Sequence, residues 1–367
     1  MNSTQHTIKN PLERLPNPLL AWYRANARDL PWRHTADPYR IWVSEIMLQQ
    51  TRVVAVLGYY ARFLEAFPSV EALARADEET LFKLWEGLGY YSRARNLYKT
   101  ACIVASEYGG QFPASYDALL TLPGIGDYTA SAIASAAFGL PETAVDGNVL
   151  RIVSRITDCH DDIGNPKTKQ AVRAALSKVL PAAVDDLRIF NQATMELGAV
   201  VCVPNGPPKC DLCPASDFCL GRLRGTAPSL PVKAPKKARQ IEEKTVYLLV
   251  RGDGAIALRK RPGQGLLAGL WEFPNVPSVF DEKHAAAPLA DWGLSAVEWR
   301  KRLTAKHIFT HLEWHMTGYV LTVSGDGPAD FLWADADAFS RLALPSAFSK
   351  YTKESLSLLD TSAAHTD

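Results

Sequence analysis

The chain has 367 residues, of which 47% are hydrophobic and 22% are charged, and its formal net charge is +1. This length exceeds one ordinary domain and fits two, while the balanced charge excludes a global electrostatic field as the basis of nucleic-acid binding. No apolar run approaches the roughly 20 residues that span a bilayer, and the first residues lack the apolar segment of a secretory signal. We therefore expect a two-domain cytoplasmic protein with no membrane partner.

The chain is helical in pattern up to about residue 230, with apolar residues at helical spacing over 41–67 and 92–108, for example. Glu45 lies in the first of these segments, where most of its neighbours are apolar. A carboxyl group in such surroundings is desolvated, which raises its pKa and lets it hold a proton near neutral pH. A partly exposed polar position on an amphipathic helix is the alternative interpretation.

The segment LPGIGDYTA, which begins at Leu122, contains two glycines one residue apart, Gly124 and Gly126. The sequence predicts a short helix over about 115–121 before them and a longer, alanine-rich helix over about 127–138 after them. Glycines here let the backbone turn tightly and leave amide groups exposed at a helix N-terminus, which can bind phosphate without a basic side chain. We interpret the segment as a helix–hairpin–helix that contacts DNA phosphates at Leu122, Gly124 and Gly126. A simple corner between two helices is the alternative.

Asp146 precedes another helical segment, in AVDGNVLRI, where the order Asp-Gly-Asn is typical of a cap and turn. An ordinary helix cap is one interpretation. The other is that Asp146 and Glu45 supply one ionised carboxylate and one protonated acid, the pair used in glycosidic bond cleavage.

Four of the six cysteines lie within eighteen residues, spaced C-x7-C-x2-C-x5-C: Cys202, Cys210, Cys213 and Cys219. In a reducing compartment such a group binds a metal more often than it forms disulfides. Zinc usually takes paired C-x2-C knuckles, and only one such pair is present. The unequal spacings therefore favour an iron–sulfur cluster, with zinc as the alternative.

The composition changes near residue 230. Residues 231–244 are charged and punctuated by proline, without an apolar face, which predicts a linker; we favour a solvated tether over a DNA-binding patch for its Lys/Arg run. Strand-like runs follow over 245–250, 255–260 and 316–323, and a helical stretch covers 347–359. These elements predict a smaller mixed α/β domain.

The block around Glu45, the LPGIGDYTA hairpin, the VDGN segment and the four-cysteine loop occur in this order, and together they resemble the endonuclease III superfamily of DNA glycosylases. Within it, the chain resembles the MutY-type adenine DNA glycosylases along nearly its whole length. The resemblance implies a mostly α N-terminal part, a two-lobed helix–hairpin–helix glycosylase with an iron–sulfur loop, and a smaller α/β MutT-like (Nudix-type) C-terminal domain. The implied boundaries are a glycosylase domain (1–230, with the hairpin at about 115–138 and the cluster loop at 202–219), a linker (231–244), an 8-oxoguanine-reading domain (245–360) and a tail (361–367).

The activity implied by the resemblance is base excision. The enzyme would hydrolyse the N-glycosidic bond of adenine mispaired with 8-oxoguanine or guanine in double-stranded DNA, and leave an abasic site. It would carry one [4Fe–4S] cluster on the four cysteines and act as a monomer. In a bacterium it would lie in the cytoplasm, associated with the nucleoid.

The same resemblance assigns the site residues. Glu45 matches the acid that protonates adenine, which is a poor leaving group until a ring nitrogen is protonated. Asp146 matches the carboxylate that stabilises the cationic sugar, and Tyr128 and Asn148 match residues that support Asp146. Neither carboxyl group can reach a stacked base, so the nucleotide must leave the duplex. The remaining implied contacts are the adenine pocket (Trp32, Arg33, Leu48, Gln192 and Glu196) and the opened base pair (Gln50, Thr51 and Tyr90, with Tyr90 wedged into the stack).

The residue type at position 128 also distinguishes monofunctional from bifunctional glycosylases. In bifunctional relatives, which cut the DNA strand as well, a lysine occupies this position and forms a Schiff base with the sugar. A phenol cannot form one, so the sequence predicts a monofunctional enzyme. A thymine-mismatch glycosylase of the same superfamily can also carry tyrosine here, but such proteins generally lack a second domain. A non-catalytic iron–sulfur DNA-binding protein is a further alternative, which would require neither carboxylate.

GLLAGLWEFP at 265–274 is the clearest MutT-like motif. The segment after it lacks the glutamate-rich helix with which a Nudix hydrolase holds magnesium, so we expect a reader of the opposite base. The implied contacts to 8-oxoguanine are Phe309, Thr310 and His311, with threonine where serine is usual. Two other departures are the first cysteine spacing, seven residues where six is usual, which predicts a bulge, and Asp127 in the hairpin, which predicts a weaker phosphate contact.

Overall fold

The computed structural model describes residues 10–235 and 238–363. They form two compact units. The first unit comprises the described residues of Met1–Arg75 and Arg95–Pro235, and the second comprises those of Ala76–Ala94 and Lys236–Asp367. The second unit therefore includes a stretch of 19 residues, 76–94, from the middle of the helical part, which the sequence analysis did not anticipate.

The part of the chain before residue 230 is helical, as predicted. Several helices begin at proline, whose fixed φ suits the first helical turn and whose missing N–H is not needed there. Short 3-10 helices lie at Pro11–Arg14, Pro31–Arg33, Cys210–Leu212, Ser216–Phe218 and Ala227–Ser229. The α-helices are α1 (Pro16–Asn26), α2 (Pro38–Leu48), α3 (Val53–Ala66), α4 (Val70–Ala74), α5 (Glu78–Trp85), α6 (Ser92–Glu107), α7 (Tyr116–Leu120), α8 (Asp127–Phe138), α9 (Gly147–Thr157), α10 (Pro166–Ser177), α11 (Val184–Val200) and α12 (Leu220–Leu223).

The segment 41–67, whose apolar spacing is helical throughout, contains a break between α2 and α3. Gln50 adopts a left-handed backbone conformation with φ 58°, which ends the helical hydrogen-bond pattern. The chain re-enters a helix only after Arg52. Gln50 and Thr51, which lie in this break, line the cavity described below.

The hairpin between α7 and α8 has the predicted form, but its two glycines serve different purposes. Gly124 has φ 75°, and a Cβ there would come within 2.6 Å of Asn96, so a side chain is excluded by both conformation and space. Gly126 is extended and caps α8. A Cβ on Gly126 would meet no atom within 4 Å. Only Gly124 is therefore needed for the turn, while Gly126 keeps the start of α8 open to solvent.

The core that positions the site lies between α1, α9, α10 and α11. Its buried residues include Leu19 of α1, Ile152 of α9 and Leu197 of α11. Helices α9 and α11 approach closely because α11 carries Gly198, where a Cβ would lie 2.7 Å from the Cβ of Asn148. This close approach brings the first turn of α9 against the C-terminal half of α11.

The second unit is built on a mixed seven-stranded sheet with the order β3-β2-β1-β6-β5, in which β4 pairs with β1 and β7 with β2. The pair β1–β6 is parallel, and the other pairs are antiparallel. One face packs Phe273, Trp314 and Tyr351 into a core, and the other face packs Tyr247 and Tyr319. The elements are β1 (Gln240–Arg251), β2 (Ile256–Lys260), β3 (Trp271–Glu272), β4 (Asn275–Val276), α13 (Ala287–Asp291), β5 (Ser295–Ile308), β6 (Leu312–Ser324), β7 (Phe331–Ala334), α14 (Ala336–Arg341) and α15 (Ser349–Ala363), with a 3-10 helix at Ser346–Phe348.

Two predicted boundaries need correction. The linker predicted over 231–244 is shorter, because residues 240–244 already belong to β1 and pair with β6 from Gln240 onward. The tail predicted over 361–367 begins later, because α15 continues to Ala363; residues 364–367 lie outside the described residues. The start of β1 was not predicted because that end of the strand is largely exposed and carries charged side chains in place of an apolar pattern. None of the helices in the described ranges combines the length and apolar character that crossing a membrane requires.

Candidate active site

A cavity of about 500 Å³ in the first unit is lined by most of the predicted site residues. It is lined from the Pro31–Arg33 turn, α2, the α2–α3 connection and the first turns of α8 and α9, with α11 forming another wall. Sequence reasoning missed several lining residues, among them Arg28, Ser44, Gln49 and Met195. The predicted residues that the cavity brings together are Glu45, Asp146, Tyr128, Asn148, Trp32, Arg33, Leu48, Gln50, Thr51, Gln192 and Glu196.

Glu45 faces this cavity from α2. The pKa of Glu45 is raised to about 7, chiefly by burial and also by the nearby negative charge of Asp146, while Tyr128 and Arg33 act to lower it. Desolvation is the largest of these effects, as the apolar neighbours in the sequence predicted. The Glu45 carboxyl group can therefore keep its proton near neutral pH.

Asp146 caps α9 and is held in one orientation. Its Oδ1 accepts a hydrogen bond of 2.8 Å from the backbone N–H of Val149, and its Oδ2 accepts one of 2.8 Å from Nδ2 of Asn148. The cap and the catalytic interpretations of the sequence are thus compatible, since the N-cap hydrogen bonds also fix the carboxylate beside the cavity.

Arg151 continues this hydrogen-bonded chain towards the cysteine loop. Its Nη2 donates to Oδ1 of Asn148 and to the carbonyl of Gly198, at 2.8 Å each, and its Nε donates at 2.8 Å to the carbonyl of Cys202. Arg151 is 6% exposed. One buried guanidinium group therefore connects the residue that holds Asp146 with the first cysteine of the loop.

Glu196 has a different environment from that of Glu45. It is 1% exposed and accepts hydrogen bonds from N, Nε and Nη2 of Arg28, at 3.1, 2.7 and 2.7 Å, and from Nη2 of Arg33, at 2.6 Å. Burial alone would raise its pKa, but these hydrogen bonds and the positive charges outweigh burial and lower the pKa of Glu196 to about 2. The cavity thus contains a carboxyl group at Glu45 whose pKa is raised to about 7 and one at Glu196 whose pKa is lowered to about 2.

Tyr128, at the start of α8, lines the cavity together with Glu45. Its hydroxyl group donates to the sulfur of Met195 at 3.0 Å, and Tyr128 lowers the pKa of Glu45 while Glu45 raises the pKa of Tyr128. The resemblance placed Tyr128 in support of Asp146, whereas in the structure Asp146 is held by Asn148 and Val149.

Asp127 of the hairpin is neutralised by its neighbours. Its carboxylate forms ion pairs with Arg173 and Lys169 of α10 and accepts a hydrogen bond of 2.6 Å from the hydroxyl group of Tyr116. Two cations of α10 thus balance the negative charge of Asp127, and its effect on the phosphate contact stays a prediction.

The four cysteines surround one small cavity at the end of α11. Burial raises the pKa of the Cys213 thiol to about 12, and burial also raises the pKa of Cys210 and Cys219; other cysteines of the set add to each shift. The seven-residue first spacing forms a closed loop, in which Gly206 has φ 78° and the N–H of Lys209 bonds with the carbonyl of Val201. Among residues 10–235 and 238–363, no three His, Cys, Asp or Glu side chains are arranged to hold a single metal ion.

The remaining predicted residues lie in the second unit. Tyr90 is 46% exposed, has φ 48°, and its hydroxyl group shares a hydrogen bond of 2.8 Å with that of Thr310. Phe309 and His311 flank Thr310 at the tip of the β5–β6 hairpin, where the N–H of Phe309 bonds with the carbonyl of Leu312. The structure therefore brings together Tyr90 and Thr310, which are 220 residues apart in the sequence.

Comparisons with known proteins identify the family. Residues 43–182 match the HhH-GPD superfamily of base excision DNA repair proteins, and residues 245–354 match the NUDIX domain. The adenine DNA glycosylase of Homo sapiens is 35% identical over 90% of this chain and 72% of its own length. That of Buchnera aphidicola subsp. Baizongia pistaciae is 34% identical over 82% of this chain and 83% of its own length. The chain belongs to the adenine DNA glycosylases.

The fold class and the enzyme class predicted from the sequence are thereby confirmed, since this adenine DNA glycosylase combines the helical base-excision domain with a NUDIX-like α/β domain. The solved structure of a thermostable thymine-DNA glycosylase is 29% identical, with a TM-score of 0.52. It covers only 58% of this chain, whereas the adenine DNA glycosylase of Homo sapiens aligns with 90% of it. The length of the match favours the adenine family over the thymine alternative.

The residues missed by sequence reasoning share a property. Arg28 lies in the loop after α1, and Met195 is one of several apolar residues on α11. Neither belongs to a motif with its own spacing. The only sequence signal for Arg28 was its position in ANARDLPWR (25–33), a few residues before Trp32 and Arg33.

Proposed function

We propose that this chain is a monofunctional adenine DNA glycosylase that removes adenine opposite 8-oxoguanine or guanine and leaves an abasic site. The observation that carries the proposal is the pairing of Glu45 and Asp146 in one cavity. Glu45 has a pKa of about 7, while Asp146 is fixed by two hydrogen bonds at the start of α9. Two carboxyl groups in such different environments divide the roles of acid and electrostatic stabiliser.

The reaction begins when adenine leaves the duplex and enters the cavity, because neither carboxyl group can reach a stacked base. Glu45 donates its proton to a ring nitrogen of adenine, and the base becomes a neutral leaving group. As the N-glycosidic bond breaks, positive charge develops on the sugar, and the fixed carboxylate of Asp146 stabilises it. Water then adds to the sugar cation and releases one proton, which replaces the proton that Glu45 gave to the base; the free base and an abasic strand are the products.

The cavity has the donors and acceptors that adenine recognition requires. Glu196 is buried and accepts four hydrogen bonds from Arg28 and Arg33, so it fixes these two guanidinium groups at the cavity wall. Gln192 is oriented by Tyr23, whose hydroxyl group donates to Oε1 of Gln192 at 2.8 Å. Its amide nitrogen remains available as a donor to a ring nitrogen of the base.

The cysteine set fits an iron–sulfur cluster. Four thiols converge on one cavity. Burial raises the pKa of Cys210, Cys213 and Cys219, so a strongly positive centre would be needed to hold these three as thiolates. A [4Fe–4S] cluster spreads its four ligands over a larger group than a single ion does. Bound there, the cluster would cross-link the end of α11 to α12 and support the helix that faces the active-site cavity.

Recognition of the opposite base is assigned to the second unit. Thr310 and His311 lie at an exposed hairpin tip, and Thr310 contacts Tyr90. Hydroxyl and imidazole donors can test for the groups that distinguish 8-oxoguanine from guanine. Because adenine is a normal base, removing it safely depends on such a check of the partner strand.

The test is a panel of duplexes that contain adenine opposite 8-oxoguanine, guanine or thymine, and thymine opposite guanine. Each is labelled on the strand to be cut, incubated with the protein and heated in alkali, which cleaves abasic sites. We expect cleavage of the adenine strand opposite 8-oxoguanine and guanine only after alkali. Cleavage of the thymine strand, or an intact adenine strand in every duplex, would overturn the proposal.

A further inference from the structure

The connection between α5 and α6 holds Tyr90 in a strained backbone conformation. Three residues of the 87–90 segment lie in the left-handed region: Gly87 at φ 96°, Gly89 at φ 68° and Tyr90 at φ 48°. Glycine adopts this region freely, whereas a residue with a side chain reaches it only at a cost in energy. Such a conformation persists only where the surrounding contacts hold it.

Arg93, in the first turn of α6, supplies these contacts. Its Nη2 donates to the carbonyl of Leu88 at 2.9 Å and to the carbonyl of Gly89 at 3.1 Å. Nε1 of Trp85 also donates to the carbonyl of Gly89, at 3.1 Å. The backbone N–H of Arg93 bonds with the carbonyl of Tyr90 at 2.8 Å. One arginine therefore binds three successive carbonyls of the connection.

The guanidinium group of Arg93 also lies over two aromatic rings. Its central carbon is 5.7 Å from the ring centroid of Tyr90 and 5.3 Å from that of Trp85. Arg93 is 8% exposed, and burial lowers its pKa to about 10, so the group keeps its positive charge near neutral pH. A cation over the face of a ring is attracted by the ring quadrupole, and more strongly when it is desolvated. The same buried charge thus restrains both the backbone and the ring of Tyr90.

Tyr90 is presented by this connection to the tip of the β5–β6 hairpin. Its hydroxyl group shares a hydrogen bond of 2.8 Å with that of Thr310. Leu88 and Tyr91, on either side of the Gly89–Tyr90 pair, are buried, whereas Tyr90 is half-exposed. A hydrogen bond between two exposed hydroxyl groups replaces bonds to water and contributes little by itself. The pairing of Tyr90 with Thr310 therefore depends on how firmly the 87–90 segment is held.

We propose that Arg93 is a positioning residue for recognition of the opposite base: it fixes the 87–90 segment and the Tyr90 ring, and so keeps Tyr90 against Thr310. The proposal rests on the opposite-base recognition assigned to the second unit above. Without the guanidinium group, the carbonyls of Leu88 and Gly89 lose a donor, and Tyr90 can relax out of the left-handed region. Thr310 then loses its partner.

The experiment measures how much faster adenine is excised opposite 8-oxoguanine than opposite guanine, by the full-length protein under single-turnover conditions. Arg93→Met should lower this preference about 5- to 100-fold, the range expected when one specific contact is lost. Adding Thr310→Val to Arg93→Met should lower it little further, because both changes break the same pairing. Arg259→Met is the matched control, since Arg259 bonds with Glu272 and the carbonyl of Asn275 instead, and it should leave the preference unchanged.

Three results would overturn the proposal: an unchanged preference in Arg93→Met, an equal loss in Arg259→Met, or a full effect of Thr310→Val in the Arg93→Met background. Arg93→Lys covers the case in which methionine prevents folding. Lysine keeps the positive charge but lacks the planar set of donors, so the preference should fall in the same direction by a smaller factor. A preference equal to that of the unmodified chain would count against the role of the guanidinium group.

A substrate-free measurement separates this inference from the function on which it rests. In fluorine NMR of protein labelled with fluorotyrosine, the resonance of residue 90 is assigned by its absence in Tyr90→Phe. The resonance should move in Thr310→Val, and this response should be lost in Arg93→Met. A response that persists in Arg93→Met, or is absent from the unmodified chain, would refute the role of Arg93 even if the preference for 8-oxoguanine were confirmed. A lost response would support the role even if the opposite base were a different one.

Discussion

Nη2 of Arg151 donates a hydrogen bond of 2.8 Å to Oδ1 of Asn148. The amide nitrogen of Asn148 holds Asp146, and Nε of Arg151 holds the backbone carbonyl of Cys202. The orientation of the Asp146 carboxylate is therefore tied to the position of the cysteine loop through the side chains of Asn148 and Arg151.

We predict that Arg151→Met lowers the excision rate about 10- to 100-fold in protein that retains its iron, because Asn148 loses the group that orients it. Affinity for the mismatched duplex should change much less. Arg155→Met is the matched control, since Arg155 donates to the sulfur of Cys202 at 3.2 Å and does not contact Asn148. It should reduce iron retention more than it reduces the rate per iron-loaded molecule; equal rate losses in both variants would contradict the connection.

The raised pKa of Glu45 predicts a pH dependence of stability. Between the ordinary carboxyl pKa, 4.5, and about 7, the folded chain holds a proton that the unfolded chain has lost, so stability decreases as pH rises through this range. Above about pH 7 both states are ionised and the full penalty is present. Glu45→Gln should therefore stabilise the protein by roughly 1 kcal/mol or more at pH 8, and much less at pH 4.5. Denaturant unfolding at the two pH values measures the difference, and a gain that is equal at both would exclude burial of a charge as its cause.

The residue at position 128 predicts whether the enzyme only removes the base or also cuts the DNA strand. The unmodified chain should leave an alkali-labile but uncut strand, and borohydride should not trap it on DNA, because a phenol forms no Schiff base. Tyr128→Lys places an amine in the same cavity as Glu45 and Asp146, and we expect it to become trappable. Trapping of the unmodified chain would contradict the monofunctional assignment.

The pairing of Tyr90 with Thr310 predicts where opposite-base discrimination can be altered. Thr310→Val keeps the shape but removes the hydroxyl group, and should reduce the preference for 8-oxoguanine over guanine about 5- to 100-fold, since one specific contact is worth about 1–3 kcal/mol. Excision opposite guanine should be nearly unchanged, and Thr310→Ser should keep the preference.

A point substitution is a cleaner test than removal of the second unit. Nζ of Lys83 donates to the carbonyl of Leu342, and Oε1 of Glu86 accepts from the N–H of Leu344. Truncation near residue 235 would remove these partners of residues 76–94, so a loss of activity in the truncated chain would not report on base reading alone.

The sequence predicted the parts of the site that have local signatures. Apolar neighbours of Glu45 predicted its raised pKa, and the hairpin, the Asp-Gly-Asn turn and the cysteine spacing each follow from rules that act over a few residues. Their order along the chain then supported the family resemblance.

The parts that the sequence did not predict depend on contacts between distant elements. Arg28 hydrogen-bonds with Glu196, which is 168 residues away in the sequence, and Tyr128 hydrogen-bonds with Met195, which is 67 residues away. No pattern over a few neighbouring residues predicts either contact. The assignment of 76–94 to the second unit and the early start of β1 likewise depend on partners far along the chain.

The central claim is that Glu45 supplies the proton with which adenine leaves. The most direct measurement is the release of free adenine from a duplex that contains adenine opposite 8-oxoguanine, under single-turnover conditions near neutral pH, by the unmodified chain and by Glu45→Gln. We expect stoichiometric free adenine and one abasic site per duplex from the unmodified chain. Glu45→Gln should bind the same duplex with similar affinity and release no measurable adenine, because glutamine keeps the shape of the acid without its proton. Substantial adenine release by Glu45→Gln would contradict the assignment of the acid.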